Sequence, residues 1–257
     1  MNTNATNEST EGLLSRAAAF RVLASGAMYP DAQRKQGLLQ ELSAVIRSAS
    51  ALDQAQAAAL TKLEHAWAVA DEDSLIEEYS RLFFGNDAIV PHETAYGNTG
   101  RSTELADISG FYLAFGFDQR ADQREVPDYL SMELEFYSLL LLKQAYALVQ
   151  GWPDKFDITR DAAKAFLADH LGRWTGAVRE RAAERQAAST YGILFETIAE
   201  FVQQECQTLA VRPAPLVCGG PDFMQDAAFV CPMEQATHVG AGASTQNPIS
   251  KSAISLR

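Results

Sequence analysis

The chain has 257 residues, 47% of them hydrophobic and 21% charged, which is the balance of a soluble globular protein large enough to bury a substantial core. Its formal charge of -12 excludes a duplex nucleic-acid binder, because phosphate recognition needs a basic face. No apolar run reaches the ~18 residues of a membrane span, and the polar start MNTNATNESTEGLLSR lacks the basic head and apolar centre of a secretory signal, so the expected location is the cytoplasm.

Residues 1–10, rich in Asn, Thr, Ser and Glu, have little to bury and read as a disordered start. From Gly12 the pattern becomes helical: Leu13, Leu14, Ala17, Phe20, Leu23 and Ala24 fall near a 3.6-residue period. Tyr29-Pro30-Asp31 interrupts it, since a residue before proline is pushed out of the helical region. Leu38, Leu39, Leu42, Val45 and Ile46 mark a second helix, and Leu60, Leu63 and Trp67 a third. Ser74-Leu75-Ile76-Glu77 has the form of a capping box opening a fourth, which Gly85 would stop. A loop to Ser102 follows, and then Leu105, Ile108, Tyr112 and Phe115 define one helix face, ended by Gly116.

Pro127 suits the first turn of the next helix, with Asp128 just inside it favoured by the helix dipole. That helix runs to about Gln150 and is the most apolar of the chain, with Leu130, Leu134, Tyr137 and Leu141 on one face and Met132, Phe136, Leu139 and Leu140 beside it. An element apolar over so much of its circumference belongs in the middle of a bundle. Gly151-Trp152-Pro153 breaks it, and helices near 158–169, 171–186 and 188–210 complete the set. Strand alternation and hairpin dipeptides are nearly absent. The prediction is therefore an all-α fold, a single bundle of roughly nine helices over residues 11–210, followed by an irregular, partly disordered tail over 211–257.

Chemistry has few candidates. Cys206, Cys218, Cys231 and His238 offer thiolates and an imidazole, but lack the short C-x-x-C knuckle of common zinc folds. Cys218, Cys231 and His238 remain the weak metal alternative, belonging to a metal- or redox-responsive regulator. Glu133 and Glu135 are two apart and point to different helix faces. Asp128 and Glu135 share a face but lie roughly 10 Å apart along it. These carboxylates read as helix-start charge and surface salt bridges. Of the four histidines, His65, His92, His170 and His238, only His92, in a loop beside Tyr96, draws interest. There is no nucleophile elbow, P-loop or dinucleotide fingerprint, so no enzyme and no bound cofactor is expected. What the loops do offer is a collection of polar and aromatic groups over an apolar bundle, in the manner of a peptide-binding groove. Pro91, His92, Glu93 and Tyr96 come from one loop, and Pro127, Asp128 and Tyr129 from the other, with Glu135 farther along the helix.

Four motifs occur here in order: Tyr79-x-x-Leu82-Phe83-x-Gly85, Pro91-x-x-Thr94-x-Tyr96, Tyr112-x-x-x-Gly116 and Pro127-Asp128-Tyr129-x-x-x-Glu133-Leu134-Glu135-Phe136. The set resembles the TorD/DmsD/NarJ family, chaperones for molybdenum-containing oxidoreductases of the DMSO reductase type. The resemblance implies an all-α, TorD-like fold and a non-catalytic role: binding the apo catalytic subunit, often through its twin-arginine leader. The client would be held until its molybdenum cofactor is inserted, and premature export prevented. It implies Asp128 in leader binding, Tyr129 where the family usually has histidine, and Thr94 for the usual serine. It leaves open a monomer or a helix-swapped dimer. The tail suggests a branch serving type II enzymes of the DMSO reductase family.

Overall fold

The computed structural model describes residues 8–48, 51–84, 88–97, 100–118, 126–186 and 189–216. Its elements are α1 (Thr10–Gly26), α2 (Ala32–Arg47), α3 (Gln54–Val69), α4 (Glu72–Phe83), a 3-10 turn (Glu93–Ala95), α5 (Arg101–Ala114), α6 (Leu130–Gln150), α7 (Pro153–Phe166), a π-helical turn (Leu167–Leu171), α8 (Gly172–Gln186) and α9 (Thr190–Thr208). Among the described residues no strand forms, and the all-α expectation is borne out. No helix there is long and apolar enough to cross a membrane.

The most apolar helix is indeed the centre. Leu130, Leu134, Phe136, Tyr137 and Leu140 of α6 are fully buried, and the element packs along α1 on one side and α7 on the other. α9 lies against α8 and α3, and α2 bridges α1 and α3. Two buried polar ties run through this core. The Arg16 guanidinium of α1 grips both carboxylate oxygens of Glu205 on α9 at 3.0 and 3.1 Å, while the Tyr137 hydroxyl of α6 donates to Glu205 at 2.8 Å. Glu78 of α4 accepts from the Thr190 and Tyr191 amides at 3.2 and 2.6 Å, satisfying two of the otherwise orphaned N–H groups that open α9.

Several helix boundaries follow the sequence and others do not. Gly151 caps α6 at φ 65°, the left-handed conformation that glycine adopts freely, and Pro153 then occupies the first turn of α7. That start lies earlier than the predicted 158. α4 is capped by Asp71, which accepts from the Ser74 amide at 2.9 Å, so the expected capping box at Ser74 is corrected by one turn. α6 begins at Leu130 with Tyr129 as its N-cap, so Pro127 and Asp128 lie before the helix and not in its first turn. Backbone pairing with a distant loop sets that boundary.

Candidate functional site

The two motif loops meet as a short antiparallel junction. His92 and Tyr129 form an isolated β-bridge; the Glu93 amide donates to the Asp128 carbonyl at 3.0 Å and the Leu130 amide to the Pro91 carbonyl at 3.0 Å. The second bond satisfies an N-terminal amide of α6, whose N-cap Tyr129 offers no side-chain acceptor. Pro127 is held from a third element, its carbonyl accepting from the Tyr112 hydroxyl of α5 at 2.7 Å.

Asp128 is the hub of the junction. Its carboxylate is fully buried, accepts from the Thr94 hydroxyl at 2.6 Å and the Thr94 amide at 3.3 Å, and lies 3.1 Å from His92 Nδ1. Burial works against its charge, but the His92 and Thr94 hydrogen bonds outweigh it and hold the carboxyl below the usual carboxylate range. The hydroxyl that stands in for the family's serine is thus in direct use. Tyr129, standing where the family has an imidazole, packs its ring 5.1 Å from that of His92 and donates its hydroxyl to the Ala27 carbonyl at the end of α1. His92 brings an imidazole to Asp128 from the other loop.

Behind the junction is a layer of buried acids that the sequence reading did not anticipate. Glu93, in the 3-10 turn, is fully buried, with Oε2 3.0 Å from His170 Nδ1 in the π-helical turn. Glu133, read from sequence as surface charge, is also fully buried and accepts from Trp174 Nε1 at 3.0 Å. Tyr96 is buried against Trp174, ring centroids 5.5 Å apart. Desolvation, together with the neighbouring Glu93, pushes the Glu133 carboxyl well above its usual range. Desolvation also raises Glu93, against the opposing pull of His170. Burial disfavours the His170 imidazolium, yet Glu93, Asp107 and Glu104 together raise its pKa. His170, not only His92, is therefore central to the ionisable chemistry here, which corrects the sequence reading.

The candidate residues accordingly divide by exposure. Glu93, Tyr96, Asp128 and Tyr129 are buried, while Pro91, His92, Pro127 and Glu135 are half-buried. Facing solvent beside them are Tyr29, Phe84 and Val90. The Tyr79 ring links this rim to the junction: it lies 5.2 Å from Tyr29 and 6.1 Å from Phe84, and its hydroxyl is 3.4 Å from that of Tyr129. Tyr29, Tyr79 and Phe84 thus form an aromatic shelf over the polar junction, with Val90 exposed beside it. Cys218, Cys231 and His238 lie outside the described residues, and Cys206 is a buried residue of α9, as its apolar neighbours predicted.

Comparison with known proteins adds independent information. The family model for the nitrate reductase delta subunit matches residues 49–180, which contain all four motifs. Among curated proteins, the chlorate reductase assembly chaperone protein of Ideonella dechloratans is 32% identical over 114 residues, 44% of this chain and 57% of that one. The perchlorate reductase assembly chaperone protein of Dechloromonas aromatica (strain RCB) is 25% identical over 227 residues, 81% of this chain and 96% of that one. The selenate reductase assembly chaperone protein of Thauera selenatis is 38% identical over 94 residues, 36% of this chain and 48% of that one. The chain thus spans about half the length of the first and third of these relatives and nearly all of the second.

Proposed function

The chain belongs to the nitrate reductase delta subunit family, which is the TorD/NarJ resemblance of its motifs, and from that premise we propose that it is an assembly chaperone for a reductase catalytic subunit. The client is the apo form of a molybdenum-containing enzyme of the DMSO reductase type, bound in the cytoplasm through its twin-arginine leader until the cofactor is in place. The observation that carries this reading is the alignment, over 96% of its length, with a protein named as a perchlorate reductase assembly chaperone, joined by two further reductase chaperones.

The geometry supports it in two ways. A leader of this kind presents two cations followed by an apolar run. Tyr29, Phe84 and Val90 offer exposed apolar area for the run, and the acidic chain favours approach of the cations. Asp128, fully engaged by Thr94 and His92, acts by fixing the loop that carries Val90 at the edge of the shelf, not by reaching out to the leader.

The test is a calorimetric titration of the full chain with a synthetic leader, together with co-purification of the chain with the apo-subunit. Phe84→Ala is expected to weaken leader binding about tenfold or more, the scale of an aromatic anchor. Absence of any complex, with the apo-subunit demonstrably present, would overturn the chaperone assignment; an intact complex with unchanged leader affinity in Phe84→Ala would move the site off the shelf.

A further inference from the structure

Glu93, Glu104 and His170 converge from the 3-10 turn, α5 and the π-helical turn, so that one potential ligand atom from each lies within 4.8 Å of the others. The three side chains are 0%, 6% and 2% exposed. We propose that they form a binding site for a divalent first-row transition-metal cation.

The first argument is spacing. Donor N and O atoms sit about 2.1 Å from such a cation, so neighbouring ligands are about 3.0 Å apart at right angles and about 3.4 Å apart in a tetrahedron. His170 Nδ1 and Glu93 Oε2 are 3.0 Å apart. Glu104 needs only a small movement of a flexible side chain, because trans ligands would be about 4.2 Å apart.

The second argument is the unfilled demand of buried atoms. Glu93 Oε1 and Glu133 Oε1 receive no hydrogen bond from a donor group, each belongs to a side chain with no exposure, and the two carboxyls adjoin, so they need a proton or a cation between them. Such atoms are costly unless something satisfies them. Charge points the same way. Glu93, Glu104 and Asp107 gather around the His170 imidazole, with Glu133 adjoining Glu93, and of these acids Glu104 is the one that the Arg173 guanidinium hydrogen-bonds, at 3.4 Å.

The third argument is the surroundings of His170. Its Nε2 lies 3.2 Å from Asp107 Oδ2, within ion-pair range though outside hydrogen-bond alignment. A carboxylate at the far nitrogen is the usual support of a metal-bound imidazole, fixing its ring and raising its basicity. Access is provided by a cleft of about 640 Å³ bordered by Glu104, Asp107, His170 and Arg173. Carboxylates with a single imidazole suit Mn2+, Fe2+ or Zn2+. His170 lies in a π-helical turn, a frequent companion of functional sites.

The experiment uses Mn2+ as probe, because thiols compete poorly for it and the tail cysteines therefore contribute little. Full-length protein freed of metal with chelator is titrated with Mn2+, and free ion is followed by electron paramagnetic resonance. One equivalent is expected to bind. Glu104→Gln, at the rim of the cluster, is expected to fold normally and to bind at least about tenfold more weakly; Asp107→Asn is expected to lose about 10–100-fold. A rise in Tm with Mn2+ in the parent, absent in Glu104→Gln, gives a second readout. No binding up to millimolar Mn2+, or binding that Glu104→Gln leaves unchanged, would overturn the site. Neither result bears on leader binding, which is measured separately.

Discussion

Asp128→Ala isolates the junction on which the candidate site depends. The substitution deletes the acceptor of the Thr94 hydroxyl and amide, and the partner of His92 Nδ1, inside a site where Asp128 has no exposure and Thr94 has 8%. One hydrogen bond to a charged group contributes about 1.5–3 kcal/mol. The bonds share one carboxylate and are not additive, and deleting one partner of a buried charged set costs about 3–5 kcal/mol. Half-buried His92 can recover water, which places the expected loss near 3 kcal/mol. For a chain of this size that is a fall in Tm of about 6–12 °C. Asp128→Asn keeps the shape and an acceptor for Thr94, and is expected to lose less than half as much. Urea denaturation followed by circular dichroism gives the free energies, and a cycle with Thr94→Val gives the coupling. Near-additive losses, or an Asp128→Ala protein within about 2 °C of the parent, would refute the claim that this carboxylate fastens the two loops. If Asp128 instead touched the leader directly, Asp128→Asn would reduce affinity while leaving stability nearly intact.

Two further outcomes follow from close approach and burial elsewhere. A Cβ at Gly172 would stand 2.4 Å from the Leu167 carbonyl and 2.6 Å from Pro213 Cγ, so Gly172→Ala is expected to destabilise by about 1–3 kcal/mol although alanine is the better helix former; a raised Tm would contradict the packing at the π-helical turn. Burial, then the neighbouring Glu205, pushes the Cys206 thiol up to about 11 from an ordinary 9.0, which leaves about 100-fold less thiolate near neutral pH. In a Cys218→Ser/Cys231→Ser background, labelling by iodoacetamide should therefore be at least that much slower than for a free thiol, and labelling at the free rate would show that α9 opens easily.

What could be read from the sequence was whatever depends on near neighbours. The apolar circumference of α6 is a local pattern, and it placed that helix correctly at the centre of the bundle. Gly116 and Gly151, both at φ 65°, end their helices as a glycine after a periodic run should. The errors at Ser74 and Pro127 have a common origin. Asp71 and Ser74 both satisfy local capping rules, and the sequence alone does not say which one the rest of the fold lets the chain use. The start of α6 is decided by the Pro91 carbonyl, 39 residues before Leu130, because that acceptor replaces a local cap. The family, by contrast, was legible from the order of the motifs and not from chemistry.

Glu133 shows how a missed site residue could have been found. As one of two glutamates two positions apart it looked like ordinary surface charge. Its neighbours one turn away on the same face are Tyr129, Leu130, Phe136 and Tyr137, and all four are buried. A carboxylate at the centre of such a patch has no water to face, so a buried partner is required before the structure is seen. The partners, Trp174 at a separation of 41 residues and the adjoining Glu93, could not be named that way. Glu135, two positions on, is only half-buried. The distinction between the two glutamates was thus present in the helical period, whereas the cluster joining Glu133 to Glu93 and His170 arises only when α6, the 3-10 turn and the π-helical turn are packed together.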